Sequence, residues 1–345
     1  MGKHAEIKGK TKKKNKKKKK HLGIKFFLFI VIILGVLGGI LVKRAYDLEW
    51  NWIAALMGHT KETRENLERV TVLIMGESGG NTDSIMIVTY DPKIQEAAML
   101  SIPRDTFAGD NPSSPRASDK INSLYHQSPE KVVAAVNKIT GLNIEYYLIF
   151  DTAVLIELVD IIGGIEYDVP IDMKYDDFTQ DLHIDLKKGV QKLNGAQVEQ
   201  LVRFRHNNIG PPYYGSTYPY DYGIEDYGRM KTQRNVAITI AKQTIKLKNI
   251  WEIGNIIDSF SKNVTTNVEA KAVKDYIPYG MQIDISRIRS EQLPGNDSNN
   301  NSSGIWFFYH DKEKTKTIVE ELFSSNIPKQ GEAIITGDND KDGGS

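Results

Sequence analysis

The 345-residue chain contains no cysteine, so neither disulfides nor thiolate-ligated metals are available to it. Any metal must be held by carboxylate, imidazole, hydroxyl or water, a donor set that suits a hard cation better than zinc. No internal repeat is evident, no GxxxxGK(S/T) segment is present for a nucleotide P-loop, and no clear small-x-small cleavage site follows the one long apolar run. Acidic residues are nearly missing from positions 1–44, which carry one Glu against 14 Lys/Arg, a net of +13. The remaining 301 residues carry 31 Lys/Arg against 43 Asp/Glu, a net of −12. An acidic folded part is a poor match for direct contact with nucleic acid.

What is present begins with "KKKNKKKKK", Lys12 to Lys20, too charged and too low in complexity to fold. Then come 17 uncharged apolar residues, Phe26 to Val42, which with Leu22 to Lys25 suffice to cross about one bilayer core. These segments predict a lysine-rich cytoplasmic tail (1–21), a retained signal-anchor as a transmembrane helix (22–43) and an extracytoplasmic stalk (44–70). The chain is then a single-pass membrane protein whose lysines meet anionic lipid headgroups. A folded domain is expected over 71–325, and a polar, disordered tail over 326–345.

Within 71–325, strands are read at Thr71–Gly76, Ser84–Asp91, Ile94–Ile102, Ile144–Phe150, Ile165–Val169 and Ile305–His310. Helices are read between them. Ser128 caps one that runs from Pro129 to about Thr140 and stops at Gly141. Others are Thr152–Ile162, Asn194–His206, Glu225–Leu247, Ile250–Lys262, Val268–Met281 and Asp311–Phe323, while Asn296–Gly304 reads as a flexible loop. Alternation of strands with helices of ten or more residues predicts a single layered α/β domain.

Charged and polar candidates recur in compact groups: Asp83; Arg104 and Asp105; Lys120 and Asn122; Arg203 and Arg205; Asp226 and Arg229; Gln233 and Arg234. Each has a bland counterpart. Asp83 caps a turn after glycines, Lys120 is a solvated charge, and Arg203 and Arg205 cannot point the same way if both are helical. "SIPRDT", Ser101 to Thr106, reads either as a turn or as a site at the carboxyl end of a strand. Arginines suit phosphate because their planar donors bind oxygens in pairs. Asp83 and Asp105 suit Mg²⁺ or Mn²⁺, held jointly with substrate phosphates.

"GNTDS", "LSIPRDT", "DKINSLY", "GGIEYDVP", "LHIDLKKGVQKLNGAQVEQLVRFRH" and "DYGRMKTQR" stand in the order seen in the LytR-CpsA-Psr (LCP) family of Gram-positive envelope proteins, which the chain resembles over roughly Val72 to Leu247. The resemblance implies a central mixed β-sheet flanked by helices. It also implies a Mg²⁺-dependent phosphotransferase outside the membrane, taking a teichoic acid or capsular polysaccharide from undecaprenyl pyrophosphate. The acceptor is peptidoglycan, usually the 6-hydroxyl of N-acetylmuramic acid, joined through a phosphodiester. Asp83 and Asp105 match the family's metal-associated aspartates. Arg104, Arg203, Arg205 and Arg229 match its pyrophosphate-binding arginines, and Lys120 and Gln233 match other polar cleft positions. Asn122 and Arg234 join them as substrate-binding candidates, and the prenyl chain is expected in an apolar pocket. Two positions depart from the usual pattern: Asn81 and Thr232 stand where arginines are common. The competing functions are a polyprenyl-pyrophosphate-sugar pyrophosphatase and a non-catalytic polysaccharide-binding or regulatory protein.

Overall fold

The computed structural model describes residues 30, 33–78, 80–208, 225–246 and 252–323. The chain divides into two units, Met1–Leu67 and Glu68–Ser345. In the first, residues 33–47 form helix α1, followed by two short helices, α2 (Trp52–Leu56) and α3 (Lys61–Asn66). Thr60 and Thr63 cap α3 reciprocally, each hydroxyl accepting from the other's backbone N–H at 3.2 Å.

The transmembrane helix expected over 22–43 is overturned: among the described residues, no helix is long and apolar enough to cross a membrane. The described part of α1, 33–47, is roughly 22 Å long at 1.5 Å per residue. Lys43, Arg44 and Asp47 interrupt its apolar sequence inside the same helix. The signal-anchor and the single-pass localisation are corrected with it. Residues 22–29, 31 and 32, the lysine tail 1–21 and the polar tail 326–345 lie outside the described residues, as does Gly79 of the glycine-rich turn.

The second unit opens with β1 (Val70–Ser78), β2 (Asn81–Asp91) and β3 (Glu96–Ile102), an antiparallel meander turned at Asp91-Pro92-Lys93. Helices α4 (Ile121–Leu124) and α5 (Pro129–Thr140) lead to β4 (Tyr146–Asp151), which pairs parallel to β1. Next are α6 (Thr152–Ile161), β5 (Ile165–Val169), β6 (Met173–Asp177), β7 (Leu182–Leu186), β8 (Gly189–Leu193), α7 (Gly195–Arg203) and α8 (Glu225–Thr244). The chain closes with α9 (Ile253–Asn263), β9 (Thr265–Thr266), α10 (Ala270–Gly280), β10 (Arg289–Gln292), β11 (Gly295–Ser298), β12 (Phe307–His310) and α11 (Lys312–Phe323). The main sheet has the order β10-β3-β2-β1-β4-β9 and is mixed, with β1/β4 and β3/β10 parallel. Strands β5/β8, β6/β7 and β11/β12 form separate two-stranded ribbons, so part of the stretch expected as a flexible loop, Asn296–Ser298, is paired strand.

The sheet is apolar on both faces, and the alternation of side chains separates them. Leu73, Met75, Ile85, Ile87 and Ile149 point to one side and pack with Val132 and Val136 of α5 and Leu322 of α11. Ile74, Met86, Leu148 and Phe150 point to the other, towards α6 and α8. A second core joins α6, α7 and the ribbons through residues such as Val159, Ile184, Leu186, Val198 and Leu201.

Local chemistry explains the elements. Ser128 Oγ accepts from Lys131 N, Pro129 sits in the first turn of α5, and Gly141 ends the helix at φ 73°. Asn194 and Gln197 close a reciprocal cap on α7, and Val198, Leu201 and Val202 bury one stripe of it. In β7, Leu182, Ile184 and Leu186 are buried while His183 and Asp185 face out, the period-two pattern of a one-sided strand.

Candidate active site

The carboxyl ends of β1, β3 and β4 and the start of the antiparallel β2 lie at one edge of the sheet. Binding sites in open α/β sheets form at this edge. After β3, Thr106 N and Oγ1 both donate to Pro103 O, at 3.0 and 2.6 Å, so Pro103–Thr106 is a turn with Arg104 and Asp105 at its centre. Phe308 N donates to Asp105 O (3.0 Å) and Asn122 N to Arg104 O (3.2 Å), which pins the turn from two sides. The "SIPRDT" stretch is thus both things: a turn whose two central side chains enter a cleft.

Asp83 reaches the cleft by a different device. In the β1/β2 ladder Gly76 faces Ser84 and Glu77 faces Thr82, so Asp83 is an extra residue in β2. Regular alternation would put it on the side of Ile85 and Ile87, in the core. The bulge releases it to the opposite side with Ser84 and Met86, as bulges beside sites commonly do. Gly76 sits opposite, where a Cβ would lie 3.2 Å from Ser84 Cβ.

Helix α7 ends at Arg203, and Phe204 continues in extended conformation (φ −64°, ψ 132°) with its ring buried. Arg203 and Arg205 are therefore not both helical, and both line the cleft. On α8, Asp226, Arg229 and Gln233 share one face at spacings of three and four. Gln233 Nε2 donates to Val202 O (3.2 Å), joining α8 to the end of α7.

Each cation is met by a carboxylate. Arg104 Nη1 bonds Asp83 Oδ1 (2.5 Å), its Nε stands 3.8 Å from Asp105 Oδ2, and Lys120 Nζ bonds Asp105 Oδ1 (2.7 Å). Arg203 bonds Glu199 Oε1 (3.0 Å) and Gln180 Oε1 (3.2 Å). Asp226 Oδ1 serves two cations, Arg229 Nη2 at 2.7 Å and Arg205 Nε at 3.4 Å, as ion pairs not aligned as hydrogen bonds. The Nε–H groups of Arg104, Arg205 and Arg229 are buried and have no hydrogen-bond acceptor among the described residues. Buried polar groups of this kind are satisfied by water, an ion or a ligand.

Burial lowers the Arg104 pKa, but its hydrogen bond and attraction to Asp83, helped by Asp226 and Asp105, outweigh this and hold it above the ordinary value. Arg229 is held below it, first by burial, with Asp226 opposing and the like charges of Arg104 and Arg205 adding to the depression. Beside the mouth, burial and then the bond to Glu77 Oε2 (2.6 Å) push the Tyr125 phenol up to about 12, so it stays a donor.

Two cavities meet here. One, of about 480 Å³, runs inward between the sheet and helices α6 and α8, walled by Met86, Leu148, Phe150, Leu158, Val236 and Ile240. Arg104, Arg203, Arg205, Arg229 and Gln233 stand with Asp83 among its lining residues. The other, a polar groove of about 910 Å³, contains Asp105, Lys120 and Asn122. Arg234 lines neither cavity: it is buried on α8, where burial lowers its pKa and the charge of Glu291 partly opposes this. Asn81 is exposed and bonds His126 Nε2 (3.0 Å), and Thr232 is buried, bonded to Gly228 O (2.9 Å). Glu199, Gln180 and Tyr175 escaped the sequence reading. The i, i+4 spacing of Glu199 to Arg203 is a usable signal for the first, whereas nothing local marks the other two.

An arginine-lined mouth over an apolar cavity stands at the carboxyl edge of the mixed sheet of this α/β protein. Residues 53–324 match the LytR_cpsA_psr family, and the chain belongs to it. It is similar to the polyisoprenyl-teichoic acid–peptidoglycan teichoic acid transferase TagU of Bacillus anthracis, 28% identical over 304 residues, 83% of this chain and 92% of that protein. Among solved structures, B. subtilis TagV superposes with a TM-score of 0.57 at 24% identity, covering 74% of this chain and 97% of that one. A Streptococcus agalactiae protein gives 0.60 at 24% identity, covering 76% and 88%. These two superpositions speak to the fold.

Proposed function

We propose that this protein transfers an anionic glycopolymer, a teichoic acid or capsular polysaccharide, from undecaprenyl pyrophosphate to peptidoglycan through a phosphodiester. The observation that carries this reading is the apolar cavity opening directly onto Arg104, Arg203, Arg205 and Arg229. The cavity takes the isoprene units nearest the pyrophosphate, and the arginines take its oxygens in paired hydrogen bonds. Arg229 and its neighbours are crowded like charges in a partly buried site. A bound pyrophosphate relieves that crowding and satisfies the orphan Nε–H groups.

The reaction is a phosphoryl transfer in which the protein positions and neutralises. The arginines stabilise charge on the transferred phosphorus oxygens and on the departing lipid phosphate. Asp83 and Asp105 flank Arg104 with hard carboxylate oxygens, a donor set that fits Mg²⁺ or Mn²⁺ shared with substrate phosphates. That cation would supply further charge neutralisation at the same oxygens. Among the described residues no cluster of three or more metal-ligating side chains occurs.

The test is incubation with a polyprenyl-pyrophosphate-linked polymer and peptidoglycan, followed by product analysis. Polymer joined to peptidoglycan is expected. Free phosphorylated polymer in its place assigns hydrolysis, and absence of turnover with retained binding assigns a binding protein.

A further inference from the structure

Outside the cleft, a phenol and a carboxylate join two elements that each hold part of the arginine set. Tyr227, near the start of α8, donates its hydroxyl to Asp297 Oδ2 of β11. Neither residue lines either cavity. Tyr227 is half-buried against the core that contains Phe308. Burial, then the bond to Asp297 and the charges of Asp297 and Asp226, push its pKa well up, so the phenol stays a donor at neutral pH. The ribbon that carries Asp297 is fastened at several points. Leu293 N donates to Ser101 O (2.9 Å) just before β11, and Gly295 packs so closely on β12 that a Cβ there would overlap Tyr309 O. Asp297 faces Phe308 across the ladder, and Phe308 accepts from Phe107 N (2.9 Å) and donates to Asp105 O (3.0 Å). One ribbon thus holds the Arg104 turn with one strand and the start of α8 with the other.

Arg229 lies two residues beyond Tyr227, about 200° round the helix, so it leaves α8 on nearly the opposite side. There its Nη2 stands 3.5 Å from Asp83 O, a contact too long to fix the helix start. We infer that Tyr227 and Asp297 are a positioning pair: by tying the start of α8 to the ribbon that braces the Arg104 turn, they set the spacing of Arg229 from Arg104. This rests on the reading of those arginines as the pyrophosphate site given above. Two arginines share one pyrophosphate only while their spacing is held, and a helix start left free to shift must be ordered when the ligand binds.

The full chain is titrated with a short-chain polyprenyl pyrophosphate, with thermal unfolding followed in parallel. Tyr227→Phe and Asp297→Ala are each expected to weaken binding about fivefold to tenfold, and the two together no more than either alone. Asp297→Asn keeps a carbonyl acceptor for the phenol and should stay within about twofold of wild type. In the Arg229→Gln background, Tyr227→Phe should lose less than about twofold, because the phenol acts through Arg229. A pair that only stabilises the fold lowers the Tm of Tyr227→Phe and Asp297→Ala and leaves their affinity unchanged. That result overturns the inference while the pyrophosphate-site reading stands. Equal losses from Tyr227→Phe with and without Arg229 overturn it too. If Arg229→Gln does not fold, the affinity contrast between Asp297→Asn and Asp297→Ala decides alone. A wild-type chain that binds no polyprenyl pyrophosphate overturns the site reading, and this inference with it.

Discussion

Asp226→Asn removes one negative charge and almost no volume from the point where two arginines converge. Arg229 is 6% exposed and 2.7 Å from Asp226, so the change leaves a desolvated cation without its nearest counterion. Breaking a buried pair on one side costs about 3–5 kcal/mol. The residual attraction of Arg229 to Asp83 places the loss at the lower end. Arg205, whose side chain is 38% exposed, adds only about 0–1 kcal/mol. A net loss of about 3 kcal/mol corresponds to a fall in Tm of about 6–12 °C for a domain of this size. The same substitution removes the internal competitor for an incoming anion. Inorganic pyrophosphate should therefore raise the Tm of the variant more than that of the wild type, by mass action on the folded state. Thermal unfolding with and without pyrophosphate measures both quantities. A variant that melts within about 2 °C of wild type, or gains no more from pyrophosphate, shows that Asp226 is not the counterion of these arginines.

Arg104→Lys should weaken lipid pyrophosphate binding by about tenfold to a hundredfold, since a point charge cannot replace charge-assisted paired bonds, and titration calorimetry reads it directly. Transfer should fall on removing divalent cation by chelation and return with Mg²⁺ or Mn²⁺; Asp105→Asn should lose most turnover while melting like wild type, and full activity after chelation would assign catalysis to the arginines alone. Burial, aided by Lys312, holds the His310 pKa below its ordinary value, so the unfolded chain binds the proton more readily. Stability should accordingly fall as pH drops below about 6.5 towards the folded-state pKa, and His310→Gln should flatten that part of a Tm–pH series. Gly195→Ala places a Cβ 2.8 Å from Ile156 Cα where α7 starts against α6, which should destabilise by about 1–3 kcal/mol or more in denaturant unfolding.

The elements that the sequence announces are those with chemical punctuation at both ends. Ser128-Pro129 and Gly141 bracket α5 to the residue, and Asn194 starts α7 where its cap requires. The turn at Asp91-Pro92-Lys93 likewise separates two strands as read. Long-range pairings left no such marks. Strand β10 joins β3 across almost two hundred residues, and the ribbon β6/β7, which delivers Gln180 to Arg203, has no local signal that ties it to the cleft. Arg203 and Arg205 looked incompatible because the helix was extended to His206; ending it at Arg203 resolves the conflict. Arg234 is next to Gln233 in the sequence, but adjacent helical residues point about 100° apart, and it lines neither cavity. The apolar run near the N-terminus misled for a related reason: hydropathy registers composition, whereas the described helix carries Lys43, Arg44 and Asp47 within its length.

The supernumerary residue in β2 separates two kinds of inheritance in one strand. Every other position in that stretch of β2 is bound to its neighbours by parity, so altering one side of the ribbon constrains the other. Asp83 stands outside that count. Excising it would let Thr82 and Ser84 fall into consecutive register opposite Glu77 and Gly76, giving an uninterrupted hairpin over an unaltered interior. The ladder would be more regular than the native one, and the mouth would lack its first acid. Chemistry at this edge can therefore be gained or erased by a single codon's length, with the architecture beneath it left as it was.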